Sequence, residues 1–466
     1  MTLLRRRWVL LLLVALAARA ITFGNPLMHA DEQFYFVVAK AMWAGQLPYV
    51  DLWDRKPLGL FLLYMPAALL PLPWGTLAYQ ALALAFVVGT AALVARFADR
   101  VGWGAGALAA GCAYILWLGV MNGPSGQSPV FYNLPVAAAA WLTVTRAADR
   151  RAGLLAMTLM GLALQIKPAA VFEGMLFGLW LLAAEWRARR SLPALLAYAG
   201  AMMTLAALPT ALSWSFYAAQ GHAASWWQAN VTAVLGRRPD SPLWQVRNAA
   251  RLLLLLSALL AMAGASRHEP AEDRATRAFL FAWLLVAVGG VVLFGGWYDH
   301  YGLPIALPAS ACAAGFLGGR GRRWAAPILL TAALAGQIKA GTDIWKHGGL
   351  ADLRRLVAAV GPGPGTLFVY SGETLLYPET ARRPLSRYIF PSHFFLAREE
   401  ESIGVMQADE LRRILAQRPD VIVMTPKYKS EEAHIRAVVI QVVAHEYRRV
   451  ATVPVGQGLA YVYRRR

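Results

Sequence analysis

Between His29 and Lys56 the chain runs HADEQFYFVVAKAMWAGQLPYVDLWDRK, holding the carboxylates Asp31, Glu32, Asp51 and Asp54 and ending on the basic pair Arg55 and Lys56. Ionisable groups this dense beside apolar segments mark a functional site by default, because a membrane environment makes them costly to keep. Carboxylates next to fixed cations suit a reaction in which a hydroxyl loses its proton while an anionic group departs. Phosphate is the obvious anion. Asp31 and Glu32 are adjacent and project about 100° apart on a helix, so one acts while the other positions. Two plainer roles compete: Asp31 also stands where a helix over 31–44 would take its N-cap, and Asp51 and Asp54 could serve only to neutralise Arg55 and Lys56.

Further charged or aromatic groups recur on what the topology below makes the same side. Lys167 sits at a turn between two apolar helices, where it contacts phosphate or merely snorkels to the interface. Glu173 lies just inside the next helix, lining a cavity or joined in a structural ion pair. Arg237 and Arg238 are loop charges that contact a donor or are simply solvated. His300 and Tyr301 head a late span, where an aromatic also serves as an interfacial anchor. The segment 121–133 contains no carboxylate; Asn133 stands nearest to where one would be sought.

The elements that position these groups are membrane spans. Of 466 residues, 58% are hydrophobic and only 15% charged, in apolar runs near the length that crosses a bilayer. A formal charge of +19 in a soluble chain would suggest nucleic acid. Here the arginines cluster in short links (Arg5 to Arg7; Arg96 and Arg100; Arg146, Arg150 and Arg151; Arg187, Arg189 and Arg190; Arg320, Arg322 and Arg323), which is the positive-inside pattern and excludes a nucleic-acid partner. Cys112 and Cys312 fall inside apolar runs and are expected to be free, buried thiols.

The apolar run 8–23 is read as an uncleaved first helix, with a cleaved signal peptide as the alternative. The spacing of Phe34, Val37, Val38, Ala41 and Met42 predicts a short amphipathic helix from Asp31 to Gly45, lying on the outer membrane surface. The run 57–73 is short and contains Pro66, and is read as non-spanning. Crossings are expected at 8–23, 75–97, 103–120, 130–145, 152–167, 169–186, 194–218, 246–265, 277–296, 301–318 and 325–341, about eleven in all. That count puts every basic link inside and places 24–74, 121–129, Lys167, 219–245, Asp299 with His300, and everything after 342 outside. Residues 1–341 therefore form a multi-span membrane domain with a first outer loop at 24–74, and 342–466 a small soluble α/β domain on the outer face. Within the latter, 366–371, 420–424 and 459–464 are expected strands; 409–417 and 430–447 are expected helices, the second capped by Ser430.

The residues above also resemble a known family, the membrane-embedded glycosyltransferases of the GT-C superfamily, specifically the protein O-mannosyltransferase and lipid A aminoarabinose transferase group. The likeness lies in HADE (29–32), DLWDRKP (51–57), GLALQIKP (161–168), GWYDHY (296–301), Leu376 with Tyr377, Arg382 to Pro384, and Arg387 with Tyr388. It implies a polytopic α-helical GT-C fold and inverting transfer of a sugar, from a polyprenyl-phosphate-linked donor to the hydroxyl of a glycan, lipid or protein acceptor on the outer face. A multi-pass cell membrane protein follows, in a bacterial inner membrane with its site on the periplasmic side. By matching positions Asp31 is the general base, Glu32 its positioning neighbour and Lys56 a phosphate ligand. Asp54, Arg55, Lys167, Arg237, Arg238, His300 and Tyr301 are further substrate-binding candidates. The missing carboxylate in 121–133 departs from many relatives, so no metal and no cofactor is expected. A lipid or lipid-linked sugar transporter is the alternative, opposed by the absence of repeat-related broken helices.

Overall fold

The computed structural model describes residues 2–400, 402–428 and 431–466, with backbone alone at 2–5 and 397. The chain divides into two compact units. One comprises Met1–Phe23, Gln80–Ser213 and Ser241–Ala340; the other comprises Gly24–Tyr79, Trp214–Asp240 and Gly341–Arg466.

The first unit is helical. Among the described residues six helices are long and apolar enough to cross a membrane: Trp74–Val101, Pro168–Arg189, Leu192–Ala219, Pro242–Ser266, Arg274–Phe294 and Asp299–Gly318. The longest has 28 residues, and about 1.5 Å per residue carries it past the roughly 30 Å hydrocarbon core. The other stretches expected to cross are helical too, as Thr2–Arg19, Ala107–Val120, Ser128–Thr145, Arg150–Leu164 and Arg322–His347, but these are shorter or less apolar. Leu253, Leu254, Leu285, Leu293 and Met203 stand exposed on the long helices, as befits side chains that meet lipid rather than water. This is a multi-pass membrane protein. Small residues let helices meet: a Cβ on Gly106 would fall 2.0 Å from the Ala314 carbonyl oxygen. Links between helices hold their own charge partners, with Asp149 pairing Arg146 (2.6 Å) and Glu185 pairing Arg150 (2.5 Å) and Arg189 (2.9 Å). Both cysteines are free; Cys312 is buried as expected, whereas Cys112 is partly exposed.

The second unit contains the helix Ala30–Trp43, the short helix Leu58–Ala68 and a five-stranded sheet. Residues 32–39 are all buried, so the first helix is enclosed by protein rather than lying with one face on a membrane. Beyond the apolar spacing, Tyr35, Phe36 and Ala39 on the other faces are buried as well. Leu58–Ala68, at 11 residues, spans only about 16 Å and cannot cross.

The sheet has the order β2-β1-β3-β5-β4, with β1 Thr366–Val369, β2 Arg383–Pro384, β3 Val421–Met424, β4 Tyr447–Val455 and β5 Gly458–Arg465. β1 pairs in parallel with β2 and β3, and β5 runs antiparallel between β3 and β4. β4 replaces the expected end of the last helix, which closes at Glu446; from Tyr447 the chain is β-branched and aromatic often enough to join β5 in a hairpin. That helix begins at Ala433 with Glu432 at its cap position, and the expected cap Ser430 lies outside the described residues. Phe368, Tyr370, Phe394, Ile422 and Val439 form the core together with Trp53 and Ala233. Residues 24–79 and 214–240 are thereby packed into the same unit as the C-terminal segment.

Candidate active site

The Ala30–Trp43 helix is capped by His29, whose backbone is extended and whose Nδ1 accepts from the Asp31 N–H at 3.2 Å. Asp31 is therefore not the cap. It sits in the first turn, where the helix end favours a carboxylate, with its side chain 21% exposed. An imidazole that accepts at Nδ1 is neutral and carries its proton on Nε2. Burial lowers the His29 pKa; Asp31 and Asp343 oppose this, while Lys56 and His347 reinforce it. Asp343 and His347, four residues apart near the end of the helix Arg322–His347, were missed in the sequence although that spacing puts both on one helix face.

Because the folded pKa of His29 lies below the ordinary value near 6.5, its contribution to stability is present above that pH and is lost as pH falls through the folded value. Exchanging His29 for Ala is expected to cost about 0.5–2 kcal/mol at neutral pH. His29→Asn, whose side-chain oxygen can cap, should recover most of it. Thermal unfolding of both variants checks this.

Asp31 Oδ2 lies 3.9 Å from Lys56 Nζ, and the same ammonium stands 5.4 Å from the centre of the Tyr35 ring. Glu32, next in sequence, is almost fully buried. Tyr35, Tyr64 and Tyr79 follow one another with ring centres 5.5 and 4.8 Å apart, a wall beside the two carboxylates. Lys56 ends a loop fixed at several points. Asp51 accepts from the Leu47 N–H (2.7 Å), and the Tyr49 hydroxyl donates to the Lys56 carbonyl (2.8 Å). Trp53 donates to Gln228 Oε1 (2.6 Å) and stacks edge-on with His393 (4.8 Å). Asp51 is thus a loop brace. Asp54 is buried and accepts from the Arg55 N–H (2.6 Å); burial raises its pKa against the pull of Lys56 and Arg55.

Arg55 forks onto both carboxylate oxygens of Glu399. Glu399 also accepts from Arg237 (3.0 Å) and from the Ser402 hydroxyl (3.1 Å), with Arg398 at 3.5 Å. Burial alone would raise the Glu399 pKa, but Arg55 and Arg237 hold it well below the usual range. Arg238 pairs with Glu400 (3.1 Å) and Arg398 with Asp240 (3.2 Å). Arg237 and Arg238 are therefore ion-paired groups, not merely solvated loop charges. The sequence left Glu399 unnoticed, though the run Arg398-Glu399-Glu400 was its only signal.

Lys167, His300 and Tyr301 belong to the other unit, where they meet one another. Lys167 Nζ lies 4.5 Å from the centre of the Tyr301 ring, and the His300 and Tyr301 rings are 4.8 Å apart. Glu173 is buried in the first turn of the helix Val171–Arg189. Asn133 is buried and donates to the Tyr114 hydroxyl (3.1 Å) and the Leu303 carbonyl (3.2 Å).

No family model matches the sequence, and no curated protein does. Solved structures do. ArnT from Cupriavidus metallidurans, bound to undecaprenyl phosphate, aligns over 97% of this chain and 97% of its own, with TM-score 0.64 and 13% identity. The Archaeoglobus fulgidus oligosaccharyltransferase, in complex with Zn and sulfate, aligns over 90% of this chain and 67% of its own, with TM-score 0.53 and 12% identity. The chain shares the fold of these two solved structures. Among the described residues no three His, Cys, Asp or Glu side chains are grouped so that they could hold a metal ion.

Proposed function

We propose that this chain is a glycosyltransferase, moving a sugar from a polyprenyl-phosphate-linked donor to the hydroxyl of a glycan, lipid or protein acceptor on the outer membrane face, with inversion. The observation that carries the reading is the approach of the Asp31 carboxylate to the Lys56 ammonium at 3.9 Å, in a GT-C fold whose ArnT neighbour holds undecaprenyl phosphate. That separation exceeds a hydrogen bond, so neither group is locked onto the other. Asp31 takes the hydroxyl proton as the acceptor oxygen attacks the anomeric carbon. The bond from that carbon to the phosphate oxygen breaks, and the phosphate leaves with the electron pair toward Lys56.

Glu32 positions the reacting groups. Asp54 and Arg55 shape the loop that presents Lys56, and Arg237, Arg238, Lys167, His300 and Tyr301 have substrate-binding roles in this proposal. The reaction as written requires neither a cofactor nor a metal. A periplasmic site in a bacterial inner membrane suits the arrangement of basic links.

Lys56→Met tests the phosphate contact directly. Loss of a charge-assisted contact is expected to weaken binding of polyprenyl phosphate by roughly 10- to 100-fold, read by titrating the purified protein. Unchanged affinity would remove Lys56 from the donor site.

A further inference from the structure

The sheet of the second unit carries a feature that the reaction above does not use. From β1 the chain leaves toward β2 on one side, then returns to β3 on the other side of β1. The gap outside the carboxyl ends of β1 and β3 is therefore the point where the strand order reverses, the place where open parallel sheets bind ligands. Two loops border it, Ser371 to Thr374 after β1 and Thr425 to Tyr428 after β3. They are tied together by Ser371 Oγ, which accepts from the Thr425 N–H (2.8 Å). Gly372 has φ +131°, a conformation side-chain-bearing residues rarely adopt, and it turns the first loop across the strand end.

The residues set there are those of a polar recognition site. Glu373 is desolvated, lies beside the Gln33 amide and has no cationic partner among the described residues; its pKa is raised, chiefly by burial. Thr374 is 3% exposed and its hydroxyl has no hydrogen-bond partner. Leaving such a buried hydroxyl unmet is costly. Tyr428 is the reverse case, a large aromatic left 45% exposed, with one face stacked on Phe395 at 5.2 Å and 9°. A plain packing tie explains the approach of Gln33 to Glu373, and Lys40 with Glu379 (3.6 Å) on the same helix face is another such tie. It does not explain the unmet Thr374 hydroxyl or the exposed Tyr428 ring.

We propose that this crevice binds a neutral sugar ring of the acceptor, with Glu373, Gln33 and Thr374 hydrogen-bonding its hydroxyls and Tyr428 stacking under its C–H face. A carboxyl group with no cation beside it disfavours phosphate or any other anion, and the site lies at strand ends rather than along an open strand edge that a peptide would pair with. The assignment to the acceptor rests on the proposed glycosyl transfer; the binding of sugar does not. Gln33 follows Asp31 by two positions, so the two project about 200° apart around the helix. In this proposal the ring in the crevice is a unit other than the one that reacts at Asp31. The acceptor carries at least one further unit, and contacts remote from the reacting hydroxyl help hold it.

The experiment is saturation-transfer NMR on the full chain, purified in a detergent without a sugar headgroup, with lactose, cellobiose and chitobiose as probes. Wild type is expected to transfer saturation to at least one of them. Tyr428→Ala and Glu373→Gln should each weaken that binding by about tenfold or more, while Asp31→Asn leaves it unchanged. Thermal midpoints matching wild type establish that the variants are folded, and Glu373→Gln keeps the shape while removing the charge. No binding by wild type, or binding kept in both crevice variants, overturns the site. Loss of binding in Asp31→Asn overturns it too, by placing the sugar at the reaction centre. If sugar binds as described yet no donor turns over, the crevice stands and the transfer reading falls.

Discussion

Asp31→Asn is expected to lower sugar transfer by about 10²–10⁴-fold, the range a positioned general base contributes, with affinity for polyprenyl phosphate nearly unchanged. The substitution keeps the shape of the side chain and cannot disturb the helix cap, because that cap is His29. The pairing with Lys56 at 3.9 Å is weakened, but an ammonium freed of a neighbouring carboxylate holds phosphate no less well. A split between turnover and binding is therefore the signature of a base, measured by single-turnover transfer alongside donor titration. Equal turnover in wild type and variant would exclude Asp31 as the base and direct attention to Glu32 and Asp54.

The second large effect lies at Glu399, whose carboxylate is 1% exposed and is shared by Arg55, Arg237 and Arg398. Glu399→Gln leaves these guanidinium groups facing one another without their shared anion. Breaking a buried pair in this way costs about 3–5 kcal/mol, and the loss should fall on the loop that carries Lys56, since Arg55 precedes it directly. Donor binding would weaken along with the thermal midpoint. The sign of the pH dependence follows from the depressed pKa of Glu399. Its stabilisation is present above the unfolded carboxyl value near 4.3 and is lost as pH falls through the folded value. The gap in thermal midpoint between wild type and Glu399→Gln should be wide at pH 7 and narrow once wild type itself loses the charge. Equal midpoints at pH 7 would show that the cluster is not holding the loop.

The site was legible in the sequence where its members are close in the chain. Asp31, Glu32, Asp54, Arg55 and Lys56 fall within 26 positions, and their charge stood out against apolar surroundings. Its partners were not legible, because Arg55 and Glu399 are 344 residues apart and no local pattern announces a pairing over that separation. The Ala30–Trp43 helix shows the same limit. Its spacing identifies a helix, but burial of residues 32–39 depends on elements elsewhere in the chain that close over its second face. His29 is not evident as a cap in the sequence, since Asp31 beside it is the more common capping type. β4 escaped notice because Arg448 and Arg449, both exposed, interrupt the alternation that marks a half-buried strand. The long apolar helices, by contrast, needed only length and composition.

The most direct test of the central claim is release of free polyprenyl phosphate from a panel of synthetic polyprenyl-phosphate sugars by the purified chain, run with and without chelator. Release that depends on the sugar attached, unaffected by chelator, is the predicted result. If no donor is consumed while labelled lipid-linked sugar crosses between leaflets of a reconstituted membrane, the protein is a transporter and the transfer reading is wrong.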